Sequence, residues 1–108
     1  MIKITKNSQY KNVYNCNNSY SDYNLVFFIK KNKENYNRYG FTSAKKIKLA
    51  VDRNRIRRRL KEIVRLNEDK IKKGYDIVIM ARVNAVEADY KALQKSYFKV
   101  LKRSNLSK

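Results

Sequence analysis

The chain has 108 residues, and its 27 Lys and Arg residues outnumber its nine Asp and Glu residues to give a formal net charge of +18 at pH 7. This length favours a single domain, residues 1–108, and the charge favours an anionic partner, with nucleic acid first and a membrane surface second. Histidine is absent and Cys16 is the only cysteine. The composition therefore argues against a nuclease whose own side chains supply the chemistry, and against a metal site on the protein.

Membrane segments are not indicated by the sequence. No apolar run approaches the length needed to span a bilayer, and the first ten residues, MIKITKNSQY, lack the apolar core of a signal peptide. We therefore expect a cytoplasmic protein with no membrane partner.

A first helix is predicted over residues 5–15, where Tyr10 and Tyr14 lie one helical turn apart and Thr5 or Ser8 is a candidate N-cap. Two aromatic residues at this spacing either pack in the core or form an exposed ledge on which RNA bases stack, and the spacing leaves both open. The following residues, CNNSYSD, are rich in turn formers and are predicted to be a loop.

The first predicted strand covers residues 23–30, YNLVFFIK, which are aromatic and β-branched. In a strand, Leu25 and Phe27 share one face while Val26 and Phe28 share the other. Both faces are apolar, so helices must cover at least one of them. After a polar turn, residues 38–44 predict a second strand, in which Gly40 marks a bulge or a close approach.

The dominant feature of the sequence is a basic helix, AVDRNRIRRRLKEIVR, that begins at residue 50 and extends to about residue 66. Asp52 is its predicted N-cap. At 100° per residue, one face of the helix is apolar and carries Ile56, Leu60, Ile63 and Val64. Arginine and lysine side chains lie beside that face at a fixed spacing. Their guanidinium and ammonium groups can bind the phosphates of a polyanion.

The C-terminal third predicts a strand and a helix. A short helical turn to Lys73 is expected to stop at Gly74 in the C′ position, and the apolar run YDIVIMAR then predicts a buried strand over 75–82. Asp89 caps a last helix over 90–103, and the tail SNLSK is expected to fray. This order of elements predicts an α+β two-layer sandwich, with a small mixed, mostly antiparallel sheet packed against helices.

The motifs of the central stretch resemble those of a known family. The stretch from Arg38 to Arg65, with Lys45-Lys46, Ala50-Val51 and the Arg-Asn-Arg triplet that starts at Arg53, resembles the signature of the bacterial ribonuclease P protein component. The segments SQYKNVY and GYDIVIMAR resemble that family's first helix and late strand. The chain departs from the family pattern at Lys48, where the family usually has glycine, and at Lys61, where it usually has arginine.

The resemblance implies a subunit that pairs with a large catalytic RNA and helps it remove the 5′ leader from precursor tRNA, with no obligate protein partner. The RNA and its bound magnesium ions would perform the chemistry, and the protein would have a sheet of about four strands with a left-handed βαβ crossover. The resemblance assigns binding of the RNA subunit to Lys45, Lys46, Arg53, Asn54, Arg55, Arg58 and Arg59. It assigns binding of the single-stranded leader to Tyr10, Tyr14, Phe28, Arg57 and Lys61.

Two other classes of protein fit the charge less well. One is an RNA- or DNA-binding protein of the ribosomal type with no enzymatic partner, in which the basic helix lies in a groove of the nucleic acid. The other is a cationic, membrane-active protein, against which the polar termini and the pattern of a folded domain argue. The order of the motifs along the whole chain favours the ribonuclease subunit.

Overall fold

A computed structural model describes residues 1–108 and contains a five-stranded sheet and three α-helices. The strands are β1 (Ile2–Lys3), β2 (Ser19–Ser21), β3 (Leu25–Lys31), β4 (Arg38–Ser43) and β5 (Tyr75–Ala81). The α-helices are α1 (Asn7–Asn15), α2 (Ala50–Leu66) and α3 (Tyr90–Arg103), and two short 3-10 helices cover Glu68–Lys70 and Val83–Glu87. None of the helices is both long and apolar enough to cross a membrane.

The sheet is mixed, with the strand order β1-β4-β5-β3-β2. Strand β3 is antiparallel to both β5 and β2, whereas β4 is parallel to both β5 and β1. Helix α2 connects the parallel neighbours β4 and β5, as the βαβ crossover implied by the resemblance requires. The predicted α+β class is confirmed.

The strand count of about four was slightly wrong, because the sequence predicted neither edge strand. Strand β1 has two residues, and β2 consists of Ser19, Tyr20 and Ser21 within the predicted loop over 16–22. Serine lacks the branched or aromatic character that marks strands, so pairing with β3 gives this segment its conformation rather than local preference.

Helices α2 and α3 cover one face of the sheet and enclose the main core. The strands contribute Leu25, Phe27 and Ile29 from β3, with Ile77 and Ile79 from β5. The helices contribute Ile56, Leu60, Ile63, Val64, Leu93, Tyr97, Val100 and Leu101. The apolar face predicted for the basic helix is therefore buried, and this burial fixes which of its basic residues reach solvent.

Helix α1 lies on the opposite face of the sheet, where Val13 packs with Ile4 and with Val78 of β5. The ring of Tyr10 rests directly on Gly40, since a Cβ atom at that position would lie 2.6 Å from a ring carbon. The predicted close approach at Gly40 is confirmed. Any larger residue there would displace Tyr10 from the groove described below.

The starts of two helices differ from prediction, and the start of the third agrees with it. Helix α2 starts at Ala50 with Leu49 as N-cap, so Asp52 lies in the first turn and accepts a hydrogen bond from Arg55 instead of capping. Helix α1 is capped by neither Thr5 nor Ser8. The side-chain oxygen of Gln9 reaches back to the backbone N–H groups of Thr5 and Lys6, as a glutamine at the N3 position can. The predicted Asp89 cap of α3 is confirmed by its bond from the Ala92 N–H at 2.8 Å.

The C-terminal tail is fixed rather than frayed. Leu106 is buried, its carbonyl accepts from the Lys72 N–H at 2.7 Å, and the Lys108 N–H donates to the Lys70 carbonyl at 3.0 Å. Gly74 is not a helix C′ residue, because the preceding 3-10 helix ends at Lys70. Its φ of 98° instead forms the turn into β5, a conformation that glycine adopts without strain.

Candidate RNA-binding surfaces

A groove of about 780 Å³ separates α2 from α1 and the segment after β1. Its α2 wall carries Val51, Asn54, Arg57, Arg58 and Lys61. The opposite wall and floor are formed by Lys3, Ile4, Tyr10, Tyr39 and Phe41. We call this feature the basic groove, because four of its ten lining residues are cationic and none is acidic.

The cations of the basic groove crowd one another. The pKa of Lys61 is lowered, first by partial burial and then by the positive charges of Lys3 and Arg57. The Arg57 guanidinium donates to the side-chain oxygen of Asn54 at 2.8 Å, which leaves most of its N–H donors free. An anion that enters the groove therefore meets uncompensated positive charge and gains more than it would on an ordinary mixed surface.

Three aromatic rings extend the groove along α1 and onto β3. The ring centroids of Tyr10 and Tyr14 are 6.4 Å apart, and those of Tyr14 and Phe28 are 4.9 Å apart in an edge-to-face arrangement. Burial raises the pKa of Tyr10, with a smaller contribution from Tyr14. Tyr14 itself is 38% exposed. We call these three rings the aromatic ledge, and Tyr10 belongs to both the ledge and the basic groove.

Three further arginines of α2 hold neighbouring loops. Arg53 donates to the carbonyls of Ile47 and Lys48 at 2.8 and 2.9 Å. Arg55 donates to the Val86 carbonyl at 3.0 Å and to Asp52 at 2.9 Å, and Arg59 donates to the Ala88 carbonyl at 3.3 Å. Part of the donor capacity of these three guanidiniums is therefore used inside the protein.

The structure regroups the residues that the resemblance divided into two sets. Asn54 and Arg58, predicted to contact the RNA subunit, line the same groove as Tyr10, Arg57 and Lys61. Tyr14 and Phe28 join that groove through Tyr10. A separate group comprises the exposed Lys45 and Lys46 with the loop-holding Arg53, Arg55 and Arg59.

Sequence reasoning missed Lys3, whose place in the basic groove depends on the pairing of β1 with β4. The only signal was a lysine between Ile2 and Ile4, an alternation too short to predict a strand. It also missed the arginine contacts with Val86 and Ala88, because the partners lie 31 and 29 residues away along the chain.

Comparison with known proteins agrees with this geometry. A family model described as Ribonuclease P matches residues 2–105. The ribonuclease P protein component of Clostridioides difficile is 43% identical over 105 residues, which cover 96% of this chain and 92% of the relative. That of Alkaliphilus oremlandii is 39% identical over 104 residues, with 96% and 91% covered.

Solved structures show the same fold. The RNase P protein of Staphylococcus aureus superposes with a TM-score of 0.91 at 28% identity, covering 100% of this chain and 99% of that one. The RNase P protein of Thermotoga maritima gives a TM-score of 0.85 at 25% identity, with 95% and 97% covered. Nothing in these relatives favours a ribosomal-type binding protein. Since the family model and relatives of more than 30% identity each match nearly the whole length, the chain belongs to the bacterial ribonuclease P protein family.

Proposed function

We propose that this protein binds the catalytic RNA of ribonuclease P and the single-stranded 5′ leader of precursor tRNA, and so assists endonucleolytic removal of the leader. The observation that carries the proposal is the junction at Tyr10 between the aromatic ledge and the basic groove. A single strand laid along it can stack bases on the rings while its phosphates face Lys3, Arg57 and Lys61. Such recognition needs no particular sequence, which suits leaders that vary between tRNAs.

Binding of the RNA subunit is proposed for the other edge of α2 and the segment before it. Lys45 and Lys46 are exposed in the connection between β4 and α2, and the tethers from Arg53 hold the backbone of that connection in place. Because the backbone beside these lysines is already held, less of the chain has to be ordered when RNA binds, and less entropy is lost. Arg58, exposed at the rim of the basic groove, is available to either RNA.

The chemistry is assigned to the RNA. Magnesium, the cofactor that the family implies, prefers carboxylate and phosphate oxygens. The side chains of this protein include no group of three or more His, Cys, Asp or Glu residues that could hold a metal ion. Asp76, the most buried acid, is committed to a two-pronged ion pair with Arg38 at 2.7 and 2.9 Å. We therefore propose that magnesium is held by the RNA subunit, and we assign the protein a role in binding alone.

Reconstitution tests the proposal directly. The protein is added to the ribonuclease P RNA of its own genome, and cleavage of a precursor tRNA with a labelled leader is followed at low magnesium. We expect no cleavage by the protein alone and faster cleavage by RNA with protein than by RNA alone. Site-specific cleavage by RNA-free protein would overturn the assignment of the chemistry. An RNA that cleaves equally fast with and without the protein would overturn the proposed function.

A further inference from the structure

A second groove of about 740 Å³ lies on the opposite side of α2, between the segment 46–49 and the 3-10 helix Val83–Glu87. We call it the loop groove. Apolar side chains that the fold leaves unusually exposed line it: Leu49 is 61% exposed, Val83 is 44% exposed and Tyr23 is 70% exposed. Packing in the core explains none of the three.

The loop groove is built by the arginine motif. One wall is the backbone of Ile47 and Lys48, whose carbonyls accept from Arg53, and the other is the segment around Val86, whose carbonyl accepts from Arg55. The two arginines of the Arg-Asn-Arg triplet thus fix both walls at once. This arrangement gives the triplet a role in shaping a site, beyond the charge that it carries.

Tyr23 is held firmly at its backbone while its ring faces solvent. The Tyr23 carbonyl accepts from the side-chain amide of Asn84 at 3.2 Å. The preceding Asp22 accepts from the N–H groups of Asn24 and Leu25, both at 2.9 Å, and its own carbonyl accepts from Arg82. An exposed ring on a fixed backbone is ready to stack with an aromatic ligand at small entropic cost.

The charges around the loop groove favour an anionic ligand. Lys46 and Lys48 are exposed along one wall, directly after Lys45. Of the two acids that line the groove, Asp52 is neutralised by its ion pair with Arg55, which leaves Glu87 on the far wall. A ligand with a flat ring and a phosphate can therefore place the ring between Tyr23 and the apolar wall and direct its phosphate to the lysines.

We propose that the loop groove binds an unpaired nucleotide of the ribonuclease P RNA, with the base stacked on Tyr23 and a backbone phosphate at Lys46 and Lys48. The inference rests on the proposed binding of that RNA and adds a specific pocket to it. It separates the two RNAs in space, since the leader follows the basic groove on one edge of α2 and the RNA subunit enters the loop groove on the other.

The absence of tryptophan from the chain provides a direct probe. Tyr23→Trp places a single tryptophan in the groove, and Tyr36→Trp places one in the turn between β3 and β4, at the far end of β3. Stacking of a base should quench the fluorescence of the Tyr23→Trp variant when the RNA subunit is added without any tRNA, while the Tyr36→Trp variant should respond weakly. Equal responses of the two variants would count against a base in the groove.

Affinity for the RNA subunit supplies the second measurement. Loss of one base stack should weaken binding of Tyr23→Ala by roughly 5-fold to 150-fold, whereas Tyr23→Phe and the control Tyr36→Ala should bind like the parent chain. The two Tyr23 variants should unfold like the parent, because the Tyr23 ring is 70% exposed. The Tyr36 ring is only 36% exposed, so binding of Tyr36→Ala is compared at a temperature where its melting curve shows the variant fully folded. Tyr23→Ala that binds as tightly as the parent would overturn the inference while leaving the proposed function intact.

Two further results are distinguishable. If the parent chain itself fails to bind the RNA subunit, the proposed function fails, and the inference fails with it. If sedimentation shows a dimer that Tyr23→Ala dissociates while RNA binding is unchanged, a second copy of the chain occupies the groove and the inference is overturned.

Discussion

The aromatic ledge makes a prediction that separates a binding role from a packing role. Tyr14 is 38% exposed and rests edge-to-face on Phe28, so it is neither free nor part of the core. We expect Tyr14→Ala to lower the free energy of unfolding by about 1–2 kcal/mol, well below the roughly 3–5 kcal/mol of a fully buried ring. Urea denaturation measures this loss without adding salt to a highly charged protein.

Binding should respond more selectively than stability. If leader bases stack on the ledge, Tyr14→Ala should weaken the complex of the holoenzyme with precursor tRNA by about 1–3 kcal/mol, or roughly 5-fold to 150-fold in dissociation constant. Mature tRNA lacks the leader, so its affinity should be unchanged. The measurement is a pair of binding titrations with the same holoenzyme preparation, one for each tRNA.

Tyr97 supplies the matched control, because its side chain is 1% exposed and packs against Phe27 in the main core. Tyr97→Ala should cost about 3–5 kcal/mol of stability and reduce binding of both tRNAs together through loss of folded protein. The reasoning about the ledge is refuted if Tyr14→Ala behaves in the same way, with early unfolding and no loss specific to the precursor.

Three further predictions concern the basic residues. Arg57→Ala should reduce the slope of log affinity for precursor tRNA against log salt by about one unit, whereas Arg65→Ala on the same helix, outside the groove and paired with Glu62, should change it little. Because the pKa of Lys61 is lowered, leader affinity should fall as pH rises through that pKa, and Lys61→Arg should keep its affinity to higher pH; identical pH profiles would contradict this. Arg53→Ala should weaken binding of the RNA subunit more than Lys102→Ala, since it also releases the carbonyls of the 47–48 segment, and equal effects would indicate a diffuse basic coat.

The elements with strong periodicity were predictable from the sequence. The bounds of α2 and α3 and of β4 and β5 agree with the predictions to within a residue or two. Long apolar or amphipathic runs show a clear periodicity, so their conformation can be predicted without knowing their tertiary contacts. The two edge strands and the fixed tail were not predictable, because each depends on a partner that is distant in sequence, such as Lys72 for Leu106.

The sequence predicted the charge of the site better than it predicted which basic residues face solvent and which hold loops. Composition alone indicated a polyanion as partner, and the apolar stripe of α2 correctly predicted which face of the helix is buried. The resemblance provided the roles of individual residues, which remain predictions until the variants are measured. Neither source indicated that the arginines of α2 divide between free donors and loop tethers.

The division follows from the angle at which each arginine leaves the helix. Arg57 and Arg58 point toward α1, where the wall opposite them offers rings and a lysine but no acidic side chain, so their charge remains available to an anion. Arg55 and Arg59 leave the helix on the side where the chain after β5 passes, and its carbonyls take up their donors. Residues of one type, a few positions apart, thus have different roles because the buried stripe fixes the rotation of α2. A change that rotated the helix would disturb both surfaces together, even though no RNA-facing residue had been replaced.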